Sequence, residues 1–200
     1  MKRLLLALLL AAPTIAHADL RADVHVGGGL EGGPVSGVAR PDGVAAAGLG
    51  IDGLLPGRDW GFGVNIDAVG RLTSRFDPQE EATFDALWRY ATPDRRFRTG
   101  VGGGLRVLSF APEPRRPAET VLGMDLVRID LGLQLARWEV TEVGASVGVD
   151  FYFAWTFGCY SGTRHDAAVG DMRPVAHELR CGDTITTTYV AGLQTSMSWR

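Results

Sequence analysis

The sequence predicts an all-β protein: a closed antiparallel up-and-down membrane β-barrel of about eight strands. Three observations predict it. A removable leader opens the chain, a two-residue hydrophobic alternation recurs after it in about eight segments, and the connections between segments alternate between short and long. A period of two places successive side chains on opposite faces of a sheet. The clearest case sets Trp60, Phe62, Val64, Ile66 and Ala68 against Gly61, Gly63, Asn65, Asp67 and Val69.

The leader has the three parts of a secretory signal: Lys2 and Arg3, the apolar run Leu4 to Ala12, and the cleavage pattern Ala16-His17-Ala18. Its apolar run falls short of the roughly 20 residues a spanning helix needs. Residues 1–18 are therefore expected to be a signal peptide, and residues 19–200 one outer-membrane barrel domain. Loss of Lys2 and Arg3 takes the formal charge from −3 to −5. A mildly acidic chain without a basic run argues against nucleic acid as a partner. After the leader every apolar stretch is broken by Gly, Arg or Asp within a few residues, so a membrane location requires strands.

The expected strands run over 20–30, 43–55, 60–72, 82–91, 96–110, 121–137, 142–157 and 183–199. Connections after the second, fourth and sixth are short: Pro56 to Asp59, Thr92 to Arg95, and the stretch around Trp138 to Thr141. Those after the first, third, fifth and seventh are long: Glu31 to Asp42, Thr73 to Glu81, Ala111 to Thr120, and Gly158 to Gly182. Short turns at one end and long loops at the other are the pattern of an outer-membrane barrel, with both termini at the short-turn end. The second strand, built on Ala45, Ala47, Leu49 and Ile51 against Gly48, Gly50 and Asp52, is the weakest.

The two faces differ in kind. One is rich in glycine, as at Gly100, Gly102, Gly104, Gly144 and Gly148, which suits the narrow interior of eight strands. The other carries aromatics in two groups. Trp60, Phe62, Trp88, Tyr90, Phe97 and Trp199 fall near short-turn ends, and Phe84, Phe153, Trp155, Phe157 and Tyr189 near long-loop ends. Two aromatic girdles around an apolar band mark the lipid-facing side.

In leader, strand number, loop alternation and aromatic-ended last strand, the chain resembles the small eight-stranded outer-membrane β-barrel proteins of Gram-negative bacteria. The resemblance spans the whole mature chain and is one of pattern, with no diagnostic motif. It implies the outer membrane as location, reached through the periplasm, with membrane lipid and the barrel-assembly machinery as partners. In that family the last residue is typically aromatic and helps the assembly machinery recognise the chain; Trp199 fits, with Arg200 following it. Members differ in task, from adhesion and stress protection to solute passage and lipid modification, so the fold does not set the function.

The inward face is expected to carry Arg71, Arg89, Arg98, Arg106 and Arg128 together with Asp23, Asp52, Asp67, Asp85, Asp130 and Asp150. In so narrow a space these charges should pair, because unpaired buried charge is costly. The expectation is a polar, plugged lumen without enzymatic activity, and long loops that meet an extracellular ligand or support envelope integrity. A lipid-modifying hydrolase or acyltransferase and a narrow solute channel are the alternatives.

No cofactor is expected. Gly27 to Gly32 and Gly48 to Gly53 match G-x-G-x-x-G, but a proline and another strand follow where a dinucleotide site needs a helix. Gly144 to Gly148 matches the nucleophile-elbow pattern, yet alternation runs through it, which makes Ser146 a small lumen residue. His25 reads as a hydrogen-bonded lumen residue. His165-Asp166 and His177-Glu178 share a loop without zinc-ligand spacing, so no metal is expected, and His165 with Ser161 is the one pair a lipid hydrolase could use. Cys159 and Cys181 bracket the last long loop of an exported chain, and a disulfide between them is expected.

Overall fold

The computed structural model describes residues 19–33, 42–71, 79–110, 119–165 and 176–199. The expected signal peptide and Arg200 lie outside these residues. The described strands are β1 (Asp19–Gly32), β2 (Asp42–Leu54), β3 (Trp60–Arg71), β4 (Gln79–Ala91), β5 (Phe97–Phe110), β6 (Glu119–Val140), β7 (Ala145–His165), β8 (Ala176–Leu179) and β9 (Thr186–Trp199). Each of β1 to β7 pairs antiparallel with the next, β7 pairs with β9, and β9 returns to β1. Eight strands thus close a ring without an open edge, which satisfies the backbone donors and acceptors around it. The short β8 extends only the far end of β7.

Side-chain alternation sorts the wall into two faces. In β3, Asn65, Asp67, Val69 and Arg71 are buried, while Trp60, Phe62, Val64 and Ile66 are exposed. The same division holds around the ring, so the outer surface is apolar and most of the buried interior is polar or charged.

The short connections are tight because their residues match their backbone. Leu55-Pro56-Gly57-Arg58 closes with the Arg58 amide donating to the Leu55 carbonyl at 3.0 Å, and Gly57 takes φ +67°. Proline second and a left-handed glycine third are the demands of a type II turn. In the β4–β5 turn the Arg95 amide donates to the Thr92 carbonyl at 2.8 Å. Arg95 itself holds φ +61°, a position costly for a residue with a Cβ. Its guanidinium offsets that cost by reaching Asp19 at 2.8 Å and Asp59 at 3.5 Å, tying two short turns to the start of β1. The Thr92 hydroxyl and the Arg96 amide, both donating to Asp94, hold that carboxyl below its usual range.

Several expected boundaries are corrected. Thr141–Val143 is a 3-10 turn ended by Gly144 at φ +61°, so the seventh strand begins at Ala145 rather than 142, and Gly144 is turn rather than lumen. β6 continues to Val140, which puts Trp138 on the outer wall instead of in a connection. Glu31 and Glu81 belong to β1 and β4, not to loops. The expected loop from Gly158 is strand as far as His165, and Cys181–Asp183 is a 3-10 turn, so the last strand starts at Thr186 rather than 183. Bulges also interrupt the pleat of β6 between Asp125 and Val127, where its pairing with β5 shifts between Gly102 and Gly104, and between Gln134 and Ala136. Each bulge adds a residue and reverses which face the following positions occupy.

β6 and β7, at 22 and 21 residues, are far longer than the 9–11 or so a membrane crossing takes, and their far ends form a raised lip. Leu108, Val121 and Tyr160 make a small apolar cluster there, with Leu179 packed against it. Cys159 and Cys181 are bonded, with Cα atoms 4.9 Å apart and a sequence separation of 22. Thr184 adds a second tether: its hydroxyl donates to the Tyr160 carbonyl at 2.6 Å and accepts from the Tyr160 amide at 3.0 Å.

Closing a loop of 22 residues is worth about 3 kcal/mol of unfolded-state entropy. Since the β7–β9 ladder already holds the ring, Cys159→Ser with Cys181→Ser should leave folding intact and make the segment between the two positions protease-sensitive. Thiol labelling of the denatured, non-reduced wild type should find no free thiol.

Candidate functional site

The lumen is built in layers from the short-turn end upward. In the first layer Arg21 is paired with Asp150, and Asp52 lies 3.4 Å from Arg98 and 3.9 Å from Arg89. Arg89 then rises to the next layer, donating to Asp130 at 3.0 Å and to Asn65 Oδ1 at 2.8 Å, while Asn65 Nδ2 donates to Asp130 at 2.8 Å.

Arg128 occupies the centre of the barrel. Its Nε donates to Asp130 at 2.8 Å, one terminal nitrogen donates to Asp85 at 2.7 Å and to Asp67, and the other donates to the Tyr152 hydroxyl at 2.8 Å. Asp67 also meets His25 Nε2, and His25 Nδ1 faces Asp23 at 3.2 Å. With a carboxylate at each ring nitrogen, only the doubly protonated imidazolium donates to both. The His25 ring lies 4.6 Å from that of Tyr152, so Tyr152 packs on one cation and accepts from another.

Above this lies an apolar collar of Val44, Val69, Tyr152, Ala154 and Val190. The upper layer follows. Arg106 pairs with Asp125, lies 3.4 Å from Glu81, and donates to the Tyr160 hydroxyl at 3.3 Å and Thr186 at 3.1 Å. Tyr160 donates to Glu81, and Arg71 bridges Glu31 at 2.6 Å and Glu81 at 3.2 Å. The Leu108 cluster closes the stack. Among the described residues small cavities lie inside, of about 30 Å³ between the central and upper layers and about 10 Å³ at the short-turn end. They have room for a water or two at most.

All eleven charged residues singled out in the sequence lie on this inner face: Asp23, Asp52, Asp67, Arg71, Asp85, Arg89, Arg98, Arg106, Arg128, Asp130 and Asp150. The structure splits them among three layers and adds residues that sequence reasoning missed: Arg21, Glu31, Glu81, Asp125, Asn65, Tyr152 and Tyr160. Glu31 and Glu81 were hidden by strand ends that lack apolar alternation. Asp125 was hidden by the bulge, because in step with Val127 it would point outward. For Asn65, Tyr152 and Arg21 the alternation was a usable signal.

The glycine pattern Gly48 to Gly53 also acquires a role. A Cβ on Gly48 would collide with the Asp67 carboxylate and the His25 ring, and one on Gly50 would lie 2.6 Å from an Asp23 oxygen. These glycines give β2 room beside the charges. Ser146 is buried on the inner face of β7, among strand residues. Ser161 is exposed, while the side chains of His165 and His177, like Asp166, lie outside the described residues. Among the described residues no group of three or more His, Cys, Asp and Glu could hold a metal. On the outer wall Trp60, Phe62, Trp88, Tyr90 and Tyr189 are exposed, and Phe153, Trp155, Phe157 and Trp199 partly so.

No protein-family model matches the sequence, and no curated protein does. Among solved structures the chain is similar to the crystal structure of neisserial surface protein A. The two share 9% identity over 88% of this chain and 95% of that one, with a TM-score of 0.50. A second match is the solid-state NMR structure of outer membrane protein AlkL in DMPC lipid bilayers, at 12% identity, 92% and 91% coverage and a TM-score of 0.44. At this identity the likeness to the neisserial protein is one of fold, and the fold is that of the small eight-stranded outer-membrane β-barrels.

Arg128→Ala would leave Asp67, Asp85 and Asp130 facing one another without their shared cation. Breaking a buried pair in this way costs about 3–5 kcal/mol. Denaturant unfolding of the folded barrel should show a loss of that order. Conductance should stay at background, because the Arg21 and Arg106 layers still block the lumen on either side.

Proposed function

We propose that the protein is a non-enzymatic outer-membrane barrel that passes no solute and acts through its long loops, in surface contact or envelope integrity. On this reading it is exported to the periplasm, loses residues 1–18, and is inserted by the barrel-assembly machinery. Its partners are then outer-membrane lipid and an extracellular ligand.

One observation carries the proposal: among the described residues three layers of cross-lumen ion pairs fill the lumen, with cavities of about 30 and 10 Å³ between them. A conducting pore needs a continuous wet path, and wide channels of this architecture use 16 or more strands. Membrane location is supported by the outer wall. Val26, Leu49, Ile66, Leu105, Leu126 and Leu193 stand exposed around it, far more apolar surface than a water-solvated protein leaves uncovered. The closed ends of the stack support a role at the long-loop side rather than through the lumen.

Purified protein in liposomes tests all three readings at once. The expected results are a compact unboiled band that shifts on boiling, background conductance and no lipid deacylation. Steady conductance would establish the channel, deacylation the enzyme, and solubility without detergent would remove the membrane reading.

Wall position should also set the cost of a charge. Leu193 pairs with Phe151 and Val26 at mid-wall, whereas Val147 lies two residues from the short-turn end of β7. Leu193→Arg should cost about 2–4 kcal/mol and Val147→Arg about 0–1 kcal/mol in vesicle-folded protein. Equal costs on urea titration would contradict the depth assignment.

A further inference from the structure

The outer wall carries a feature that the lumen network does not explain. Near the short-turn end, one rung of outward positions runs Ile51, Val64, Ala86 and the next runs Gly53, Phe62, Trp88. Ala86 and Gly53 are small where their neighbours are bulky. A furrow of about 570 Å³ results, floored by Val64 and Ala86 and walled by Leu20, Ile51, Phe62 and Trp88. Phe62 is 60% and Ile51 54% exposed, so the walls stand clear of any protein cover among the described residues.

Directly beyond the end of β2 lies Arg58, exposed in the turn between Gly57 and Asp59. The other arginines at this end have carboxylates: Arg95 is held by Asp19 and Asp59, Arg96 lies 3.9 Å from Asp94, and Arg137 lies 2.8 Å from Glu139. Among the described residues the Arg58 guanidinium has no hydrogen bond or ion pair.

We propose that the furrow holds one acyl chain of a periplasmic-leaflet phospholipid and that Arg58 binds its phosphate. The proposal rests on the membrane reading above. In hydrocarbon a dry apolar recess is filled by chains, since water finds no polar partners on Val64, Ala86 or Phe62. Its volume falls within the roughly 300–1,000 Å³ range of small-molecule sites. Trp60 and Tyr90, neighbours across β3 and β4, mark the level of the headgroups, and Arg58 lies just past them. A guanidinium at that level, free of carboxylates, matches a phosphodiester in charge and in fork geometry.

Native mass spectrometry of the full barrel in mild detergent tests this, titrated with dioleoyl-phosphatidylglycerol or with dioleoylglycerol, which has the same chains and no phosphate. The wild type should retain one phosphatidylglycerol about tenfold more tightly, or about 1.4 kcal/mol, than dioleoylglycerol. Arg58→Gln should erase that preference. Ala86→Leu, a lipid-facing change that fills the floor, should weaken both lipids by a similar factor while the boiling-dependent gel shift persists. Unchanged binding in both variants, or equal retention of the two lipids by the wild type, would overturn the site. A dimer that excludes lipid would assign the furrow to a second copy and overturn it as well. A chain that shows no gel shift and no vesicle insertion contradicts the membrane reading itself; an inserted barrel that retains no lipid contradicts only the furrow.

Discussion

The cost of leaving a charge unpaired in a narrow, water-poor lumen constrains the rest of this structure. Arg128 has Asp67, Asp85, Asp130 and Tyr152 within reach at once, drawn from β3, β4, β6 and β7. Arg21 of β1 reaches Asp150 of β7, 129 residues away in sequence. Such pairs cross the ring and act on strand register. A one-residue slip in any of these strands would turn its charges toward the outer wall and leave their partners orphaned. Buried ion pairs add little net stability over well-packed apolar residues of the same volume. Their value here is specificity: one register satisfies three layers together.

That constraint explains features that look unrelated. β2 is glycine-rich because its inner positions face His25, Asp67 and Asp23, where a Cβ has no room. Tyrosine rather than phenylalanine stands at 152 and 160 because each hydroxyl meets an arginine, and Tyr160 donates onward to Glu81. The outer wall obeys the opposite rule. It holds no partners for polar groups, so apolar residues occupy it and size varies freely, which is how a recess like that over Ala86 arises.

The ring, its faces and the central charges were legible because strict alternation survives through β3, β7 and β9. Asp67, Arg128 and Asp130 could be placed on one face by counting in twos. Counting failed where the backbone stops being regular. The bulge between Asp125 and Val127 reverses the phase, which removed Asp125 from view and with it the principal partner of Arg106. Glu31 and Glu81 lie where strands continue beyond their apolar stretch, so their charges read as loop. Trp138 falls in the expected short connection, yet β6 runs on to Val140 and the turn is set by Gly144, six residues after Trp138, in a left-handed conformation that alternation cannot report. Layering was also illegible. Pairs such as Arg71 with Glu31, 40 residues apart, depend on strand stagger around the ring rather than on spacing within a strand.

The closure of the long-loop end narrows what the barrel can do from outside. The upper ionic layer of Arg106, Glu81 and Arg71 lies beneath Leu108, Val121 and Tyr160, with Leu179 from the disulfide-held segment over them. The apolar seal keeps water off the ion pairs, and the ion pairs in turn fix Tyr160, the residue that anchors Thr184 and so the start of the last strand. Seal, tether and disulfide therefore form one unit, and an approaching ligand meets that unit before any lumen charge. Closure of the lumen and anchoring of the β7 end are in this sense one structural fact: the residues that hold the far end of β7 in place are those that shut the barrel.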